Sequence, residues 1–495
     1  MKPFTRRAAL ALGGAAAGWL AARPFHSNLP VLNGTTRLDT TPTGLVMNDA
    51  SGLSATPIHK HLVLSEDAGD ALIATIRREL AEASTANRAF NVGAARHSMG
   101  GQAIPRNGTA VTFDNGNVEI DTGNRSYRTH AGARWSEVIA ALDPTGWSPA
   151  VMQSNNDFGV AATFSVNAHG WPVPYGPMGA TVRALRMILP TGDLVNCSPT
   201  ENSDLFNMAM GGYGLVGVIV DLEVDMVPNA RLAPTFETMK AEAFPRAFQS
   251  AVDDLAVTMA YGRLNVERDA FFEQALLVTY RQTDDQEALP TASGSGWMSH
   301  VASRIYRAQL GNETMKSFRW WNETTLGPAL GSGEVTRNSL INEPVVTLDD
   351  RNPDRTDILH EYFVSFDAFD AFLTACREVI PASYQEFLNV TLRYVAQDDQ
   401  SDLSYATTPR IAAVMSFSQE MTKRAEADMR RITEELIDRI SQDGGAYYLP
   451  YRPHARLDQL SKAYAGAAKF AARKRELDPK LVLRNNLWDT YLERL

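Results

Sequence analysis

The sequence predicts a two-lobed α+β protein, and three observations predict it. At 495 residues the chain exceeds what one small core organises. Between about Ser65 and Pro228 short strands and helices alternate without the βαβαβ rhythm of a parallel nucleotide fold. Past Pro228 the texture changes to another mixture of strands and helices, read as a second α+β unit.

A hydrophobic content of 44% with 21% charged residues is ordinary for a globular chain. The net charge of −10 argues against a nucleic-acid partner, which requires basic surface. The two cysteines, Cys197 and Cys376, lie far apart, so neither a disulfide framework nor a metal site is expected. At the N-terminus, Lys2, Arg6 and Arg7 precede an Ala/Gly-rich run from Ala8 to Ala22 that is too short and weakly apolar for a membrane span. Thr5-Arg6-Arg7 resembles a twin-arginine export signal, so residues 1–28 are expected to direct export to the periplasm or beyond. Membrane contact is expected only through that segment. Residues 29–57, rich in Ser, Thr, Gly, Pro and Asn, read as a linker.

From Ser65 to Ala83, Leu72, Ile73, Ile76 and Leu80 recur at helical spacing, with Glu66 and Asp67 near the start. Phe90 to Gln102 then reads FNVGAARHSMGGQ. A short apolar strand meets Gly93, Ala94 and Ala95, and small residues there let consecutive backbone N–H groups converge on one point, as an anion cradle needs. Arg96 adds charge, Ser98 a hydroxyl and His97 a nucleophilic imidazole. Val111–Phe113 and Val118–Ile120 read as strands around Asn115-Gly116, and a strand near Tyr127–Thr129 leads through Gly132 into a helix, Trp135–Leu142. The second block, Val151 to Gly170, is poor in charge and dense in small polar residues (Ser154, Asn155, Asn156, Ser165, Asn167), ending in Ala168-His169-Gly170. Such a segment suits the wall of a buried ligand with many acceptors. Met187–Val195 reads as a hairpin about Thr191-Gly192-Asp193, and Asp204-Leu205-Phe206 opens a helix ending at Gly211-Gly212. In the third block, Gly212-x-Gly214-x-x-Gly217 matches the dinucleotide fingerprint as a bare pattern. It follows a helix and opens a strand, in which Val218, Val220, Leu222, Val224 and Met226 alternate with Asp221, Glu223 and Asp225. The Rossmann order is the reverse, which excludes NAD binding.

In this order the three blocks resemble the PCMH-type FAD-binding domain of the vanillyl-alcohol-oxidase superfamily, here spanning 58–228. The resemblance implies FAD as cofactor. It places Ala94, Ala95, Arg96, His97, Ser98, Gly100, Gly101 and Gln102 at the pyrophosphate loop. Ser154, Ser165, Asn167, His169 and Gly170 belong to the second flavin-contacting stretch, and the backbone of Val218 meets the adenine end. His97 occupies the position that commonly carries the flavin through its 8α-methyl group. Two departures stand out: Ala161-Ala162 replaces a Gly-Gly pair, and the second block has no cysteine, so one covalent link is the most available.

Residues 229–445 are expected to form a substrate (cap) domain, with helices near Phe244–Leu255 and Phe366–Val379 and strands at Phe271–Tyr280 and Tyr362–Ser365. The basic-aromatic run Arg304–Trp321 reads as a helix packed on its own domain, with a membrane or partner surface as the alternative. The strand Phe387–Val395 resembles the Glu-x-Arg strand of sugar-lactone and alditol oxidases, Arg393 aligning with the arginine and Thr391 replacing the glutamate. Arg452-Pro453-His454 resembles their RPHW-x-K signature, with Ala455 and Leu457 in place of tryptophan and lysine and Arg456 the nearest cation. His360-Glu361-Tyr362 opens a further cap strand. The resemblance implies an FAD-linked oxidase or dehydrogenase that takes hydride from a CH–OH group of a small molecule (a sugar lactone, polyol or related alcohol) and is reoxidised by oxygen or another acceptor. Arg393 would hold a substrate oxygen, His454 or His169 would accept the hydroxyl proton, and Arg456 is the remaining catalytic candidate. For each, the alternative is a structural ion pair or a solvated strand end. The loop also resembles that of cytokinin dehydrogenases, which leaves C–N oxidation open, and a non-catalytic flavin-binding or electron-transfer protein is the alternative outside enzymes. Residues 446–495, helical from Leu457 to Leu477 and then LDPKLVLRNNLW, are expected to return to the first domain.

Overall fold

The computed structural model describes residues 36–39, 44–294, 297–330, 333–344 and 352–495. The expected export signal and residues 29–35 and 40–43 of the expected linker lie outside the described residues. No helix among the described residues is long and apolar enough to cross a membrane.

The first lobe begins with a small parallel sheet. β1 (Lys60–Leu64) and β2 (Phe90–Val92) flank β3 (Thr109–Phe113) in the order β1-β3-β2. Helix α1 (Asp70–Thr85) connects β1 to β2 and buries Leu72, Ile73, Ile76, Leu80 and Ala83 along one face. It starts later than its periodicity suggests, because Gly69 takes the N-cap position and Glu66 and Asp67 precede it. Asn115-Gly116 is not a hairpin turn. After it the chain changes sheets, and β4 (Val118–Asp121) pairs with β5 (Ser126–His130) instead of β3.

That second sheet is antiparallel. It is completed by β6 (Trp147–Pro149), the hairpin β7 (Val182–Ile188) and β8 (Leu194–Cys197), and the long β9 (Val218–Pro228), in the order β8-β7-β9-β5-β4 with β6 on β9. Helices α2 (Trp135–Leu142), α3 (Val160–Ser165) and α4 (Ser203–Ala209) complete this part of the chain. Ala161 and Ala162 sit inside α3, where alanine is the strongest helix former. The third glycine block is a turn from α4 into β9: Gly214 has φ +70°, and a Cβ there would lie 3.2 Å from the buried Asn91 amide.

The strands after Pro228 build one eight-stranded antiparallel sheet. They are β10 (Arg231–Lys240), β11 (Val257–Leu264), β12 (Gln274–Gln282), β13 (Val335–Thr336), β14 (Arg355–Val364), β15 (Glu386–Val395), β16 (Arg410–Glu420) and β17 (Ala446–Tyr447), in the order β13-β10-β12-β11-β15-β16-β14-β17. β12 starts three residues later than Phe271, since Phe272 has φ +60° and stacks on Phe271 at 4.2 Å in the preceding turn. Helices α5 (Phe244–Val252), α6 (Phe369–Val379) and α7 (Lys423–Ile440) bury apolar faces that include Phe248, Phe372, Leu373, Met429 and Leu436. Leu388, Val390 and Leu392 of β15 are wholly buried, whereas Asn389, Thr391 and Arg393 point the opposite way and keep accessible surface. The basic-aromatic run folds into two helices, α8 (Trp297–Ala308) and α9 (Glu313–Trp321), whose Arg319 donates to Leu388 O and Asn389 Oδ1 of the sheet.

The C-terminal stretch returns to the first lobe. Phe90 N–H donates to Val482 O at 2.7 Å, and Arg484 N–H donates to Phe90 O at 3.3 Å, directly beside the cradle strand. A buried Lys474–Asp478 pair fixes this return, and Asp478 also accepts the N–H groups of Val482 and Leu483.

Candidate active site

The turn after β2 presents an anion cradle. Among the described residues, the N–H groups of Ala94, Ala95, Arg96, His97 and Ser98 meet no acceptor, whereas Gly93 N–H still belongs to the sheet through Val111 O at 2.9 Å. Arg96 is in the left-handed region at φ +56°, which turns successive N–H groups toward a common side. Its guanidinium donates to Ala94 O and Thr112 Oγ1, makes no ion pair among the described residues, and keeps a buried Nε without a partner. Free amides beside an uncompensated cation fit a pyrophosphate. His97 stacks on Phe158 of the second block, with ring centroids 4.3 Å apart. Burial holds its imidazole below the ordinary histidine range, with Asp157 opposing the shift, so it is neutral and nucleophilic near pH 7.

Gly100, Gly101 and Gln102, expected in the same cradle, do other work. Gly100 N–H donates to Gln102 Oε1, Gly101 N–H donates to Asp49 Oδ2, and Gln102 Nε2 bridges Leu449 O and Tyr451 O. The donors are spent on bracing the loop against the segment at 449–453. The expectation for them is corrected accordingly: the free donors end at Ser98.

A second set of groups lies on the face of the eight-stranded sheet that carries Thr391 and Arg393. Glu361 of β14 is 3% exposed, and its carboxylate is bonded by His169 Nε2 and, at 3.3 Å, by the Tyr451 hydroxyl. Glu361 is in register with Val414 of β16, which is in register with Thr391 of β15, so Glu361, Thr391 and Arg393 share one face. A carboxylate on strand β14 thus stands on the same face as Thr391, the position where the resemblance expects one. Arg393 Nη2 donates to Ser154 Oγ at 2.5 Å. Burial lowers the Arg393 guanidinium from its ordinary value and the negative charge of Glu361 opposes that. His169 Nδ1 lies 3.3 Å from Gly170 O.

These contacts close a circuit. His97 meets Phe158, the block carrying Phe158 supplies Ser154 and His169, these reach Arg393 and Glu361, and Tyr451 leads back to the loop through Gln102. Two lobes distant in sequence therefore share one site.

A family model described as an FAD binding domain matches residues 72–198, which contain both the cradle and the second block. The chain carries a PCMH-type FAD-binding domain. FAD is its cofactor, and the free amides at 94–98 with Arg96 fit its diphosphate. The chain is 32% identical over 139 residues to cytokinin dehydrogenase 7 of Oryza sativa subsp. japonica, covering 27% of this chain and 26% of that protein. It is 30% identical over 139 residues to an alditol oxidase of Streptomyces sp. (28% and 33% covered) and 29% identical over 125 residues to a putative D-arabinono-1,4-lactone oxidase of Neurospora crassa (25% and 22%). The chain thus spans about a fifth to a third of the length of these relatives.

The remaining expected residues divide. Asn167, at φ +45°, spends its side chain on Asp398 and Gly179 N–H, which makes it a brace and not a flavin ligand. Ser165 ends α3, and its carbonyl accepts Tyr213 N–H. Gly170 lets two parts of the second block meet: a Cβ there would lie 2.0 Å from Met152 O. Val218 is buried at the start of β9, opposite Ile188.

Two catalytic expectations are corrected. His454 lies on the helix side of the sheet, where Thr433 of α7 bonds both His360 and His454. Its Nε2 is held by Glu426 at 2.8 Å on that side, so it is placed away from the face that carries Arg393 and Glu361. Strand alternation explains the division: His360 and Glu361 are neighbours and point to opposite faces. Arg456 is a partly exposed surface residue bonded to Asp438 and Asp458.

Sequence reasoning named Glu361 only within a tripeptide and missed Tyr451, which bonds its carboxylate, and Arg263, whose guanidinium donates to Thr391 Oγ1 on the same face. The signal for Arg263 is its phase on β11 with Tyr261, but its partner, Thr391 of β15, is a long-range pairing that no local pattern reports.

Proposed function

We propose that this flavoprotein oxidises a CH–OH group of a small organic substrate, and that the Glu361–His169 pair accepts the hydroxyl proton. The observation that carries the reading is a carboxylate buried at 3% exposure, held by His169 and Tyr451 on the face that bears Arg393. FAD, when bound, supplies the hydride acceptor. Arg393 orients a substrate oxygen and stabilises negative charge as the hydroxyl proton leaves. Tyr451 stays protonated, because burial and the neighbouring Glu361 raise its pKa well above the ordinary tyrosine value, and so donates a fixed hydrogen bond. Phe363 packs edge-on to His169 at 5.6 Å and keeps water from the pair.

Neutral His97 beside Phe158 supports a single covalent histidyl link to the flavin, which would raise its potential and prevent its loss. Export before function, with oxygen or another acceptor completing the cycle, belongs to the same proposal and rests on the Thr5-Arg6-Arg7 signal. The test is anaerobic mixing of the purified flavoprotein with polyols, sugar lactones, hydroxy acids and amines while flavin absorbance is followed. Bleaching by a CH–OH compound is expected. Bleaching by amines alone would assign C–N oxidation, and no bleaching by any compound would leave a flavin-binding protein without turnover.

A further inference from the structure

Two guanidinium groups on the site face of the eight-stranded sheet lack a carboxylate of their own. Arg263 of β11 is in register with Thr391 of β15, and Arg393 lies two residues further along the same face. Arg263 Nη1 donates to Thr391 Oγ1 at 2.5 Å, and Arg393 Nη2 donates to Ser154 Oγ at 2.5 Å, so both meet neutral hydroxyls. Nε of Arg393 is buried with no partner, and neither arginine forms an ion pair among the described residues.

The nearby carboxylates are already engaged. Glu323 pairs with Arg319 at 2.7 Å, and Glu361 is held by His169 and Tyr451. Three guanidinium groups (Arg263, Arg319, Arg393) thus face two carboxylates (Glu323, Glu361), a surplus of one positive charge. A recessed cation surplus is costly until an anion neutralises it. Beside it stand Trp171, Tyr261 and Tyr280, with Trp171 edge-on to the two tyrosines at 5.2 and 5.7 Å and Arg263 over the Tyr261 ring at 5.4 Å. Trp171 directly follows the His169-Gly170 turn, so this cationic, aromatic-walled corner adjoins the proposed proton acceptor.

We propose that the substrate is a hydroxy acid whose carboxylate is held by Arg263 and Arg393, in place of a neutral polyol or lactone. The inference rests on the CH–OH reading above and narrows its substrate class. A surplus of one charge matches a carboxylate monoanion better than a phosphate ester, which carries about −1.5 to −2 near pH 7. The guanidinium fork also matches the two oxygens of a carboxylate. Threonine at 391 is what leaves Arg263 free, since an acid at that register position would neutralise it within the protein. The same surplus opposes a protonated amine.

Isothermal titration of the FAD-loaded protein tests this without turnover, using D-gluconate against D-glucitol and glycerate against glycerol. Wild type should bind each acid at least about ten-fold tighter than its alcohol. Arg263→Met should weaken the acids about ten-fold or more while changing the alcohols less than about two-fold. Thr391→Glu should erase the preference for acids in protein whose flavin spectrum and circular dichroism match wild type. Equal or tighter binding of the alcohols, no binding of either acid, or a preference that survives both substitutions overturns the proposal. Absence of flavin bleaching by the hydroxy acids and the alcohols alike, with acid-selective binding intact, would instead count against the oxidation reading alone.

Discussion

Glu361→Gln separates the chemistry of the buried carboxylate from its structural role. In wild type both carboxylate oxygens are bonded, one by His169 Nε2 and the other by the Tyr451 hydroxyl at 3.3 Å. Glutamine offers one acceptor and one donor. Its carbonyl can keep the Tyr451 bond, and its NH2 can donate to His169 Nε2 if the ring proton moves to Nδ1, which lies 3.3 Å from Gly170 O. The substitution is therefore accommodated by a tautomer change, and the stability cost should be about 1 kcal/mol. The chemical cost is larger, because His169 then has no free lone pair and no carboxylate remains. Loss of a positioned base lowers rates by roughly 10²–10⁴, or about 3–5 kcal/mol of barrier. The assay is anaerobic stopped-flow bleaching of the flavin, with the urea midpoint measured on the same samples. A fall of this size at nearly unchanged stability is expected. A Glu361→Gln variant that reduces its flavin at the wild-type rate would refute the assignment of Glu361 and His169 as proton acceptor.

Three further outcomes follow from named contacts. Gly101→Ala should destabilise the protein by about 1–3 kcal/mol in urea unfolding and lower its flavin content, since left-handed backbone disfavours a side chain; φ there is +70° and a Cβ would lie 2.1 Å from Asn486 Nδ2. Arg456→Ala should leave turnover unchanged and cost at most about 1 kcal/mol, because its partners Asp438 and Asp458 are exposed. Stability should fall as pH drops below about 6.5, the ordinary histidine value. Burial, reinforced by His454, lowers His360 to about 3, so between those values the unfolded chain binds a proton that the native state does not. The contribution is fully present above the unfolded pKa and lost on approach to about 3, at roughly 1.4 kcal/mol per pH unit. Urea midpoints across that range should flatten in a His360→Asn variant.

What the sequence makes legible is local. Trp135–Leu142 reads as a helix from its own spacing, and the helix–turn–strand order around Gly212–Gly217 is enough to reject a Rossmann loop. The parallel pairing of β1 with β3 is not legible, because Lys60–Leu64 carries no mark of a partner nearly fifty residues away (Lys60↔Thr109). The same physics governs the site. Ala94–Ser98 advertise a cradle because small residues and a following arginine are consecutive. Gln102, Asn167 and His454 misdirect, because what removes each from the site is a distant partner: Leu449 and Tyr451, Asp398, and Glu426. Glu361 becomes visible only when strand alternation and cross-sheet register put it on the face of Arg393.

We assign residues 94–98 to the FAD diphosphate and His97 to the flavin ring. The most direct measurement is to precipitate the folded, FAD-replete protein in acid and ask where the yellow flavin goes, in wild type and in His97→Ala. Flavin should stay on the wild-type polypeptide, be recovered in the peptide that contains His97, and be released from the alanine variant. Folded protein from FAD-replete cells that carries no flavin at all would contradict this assignment.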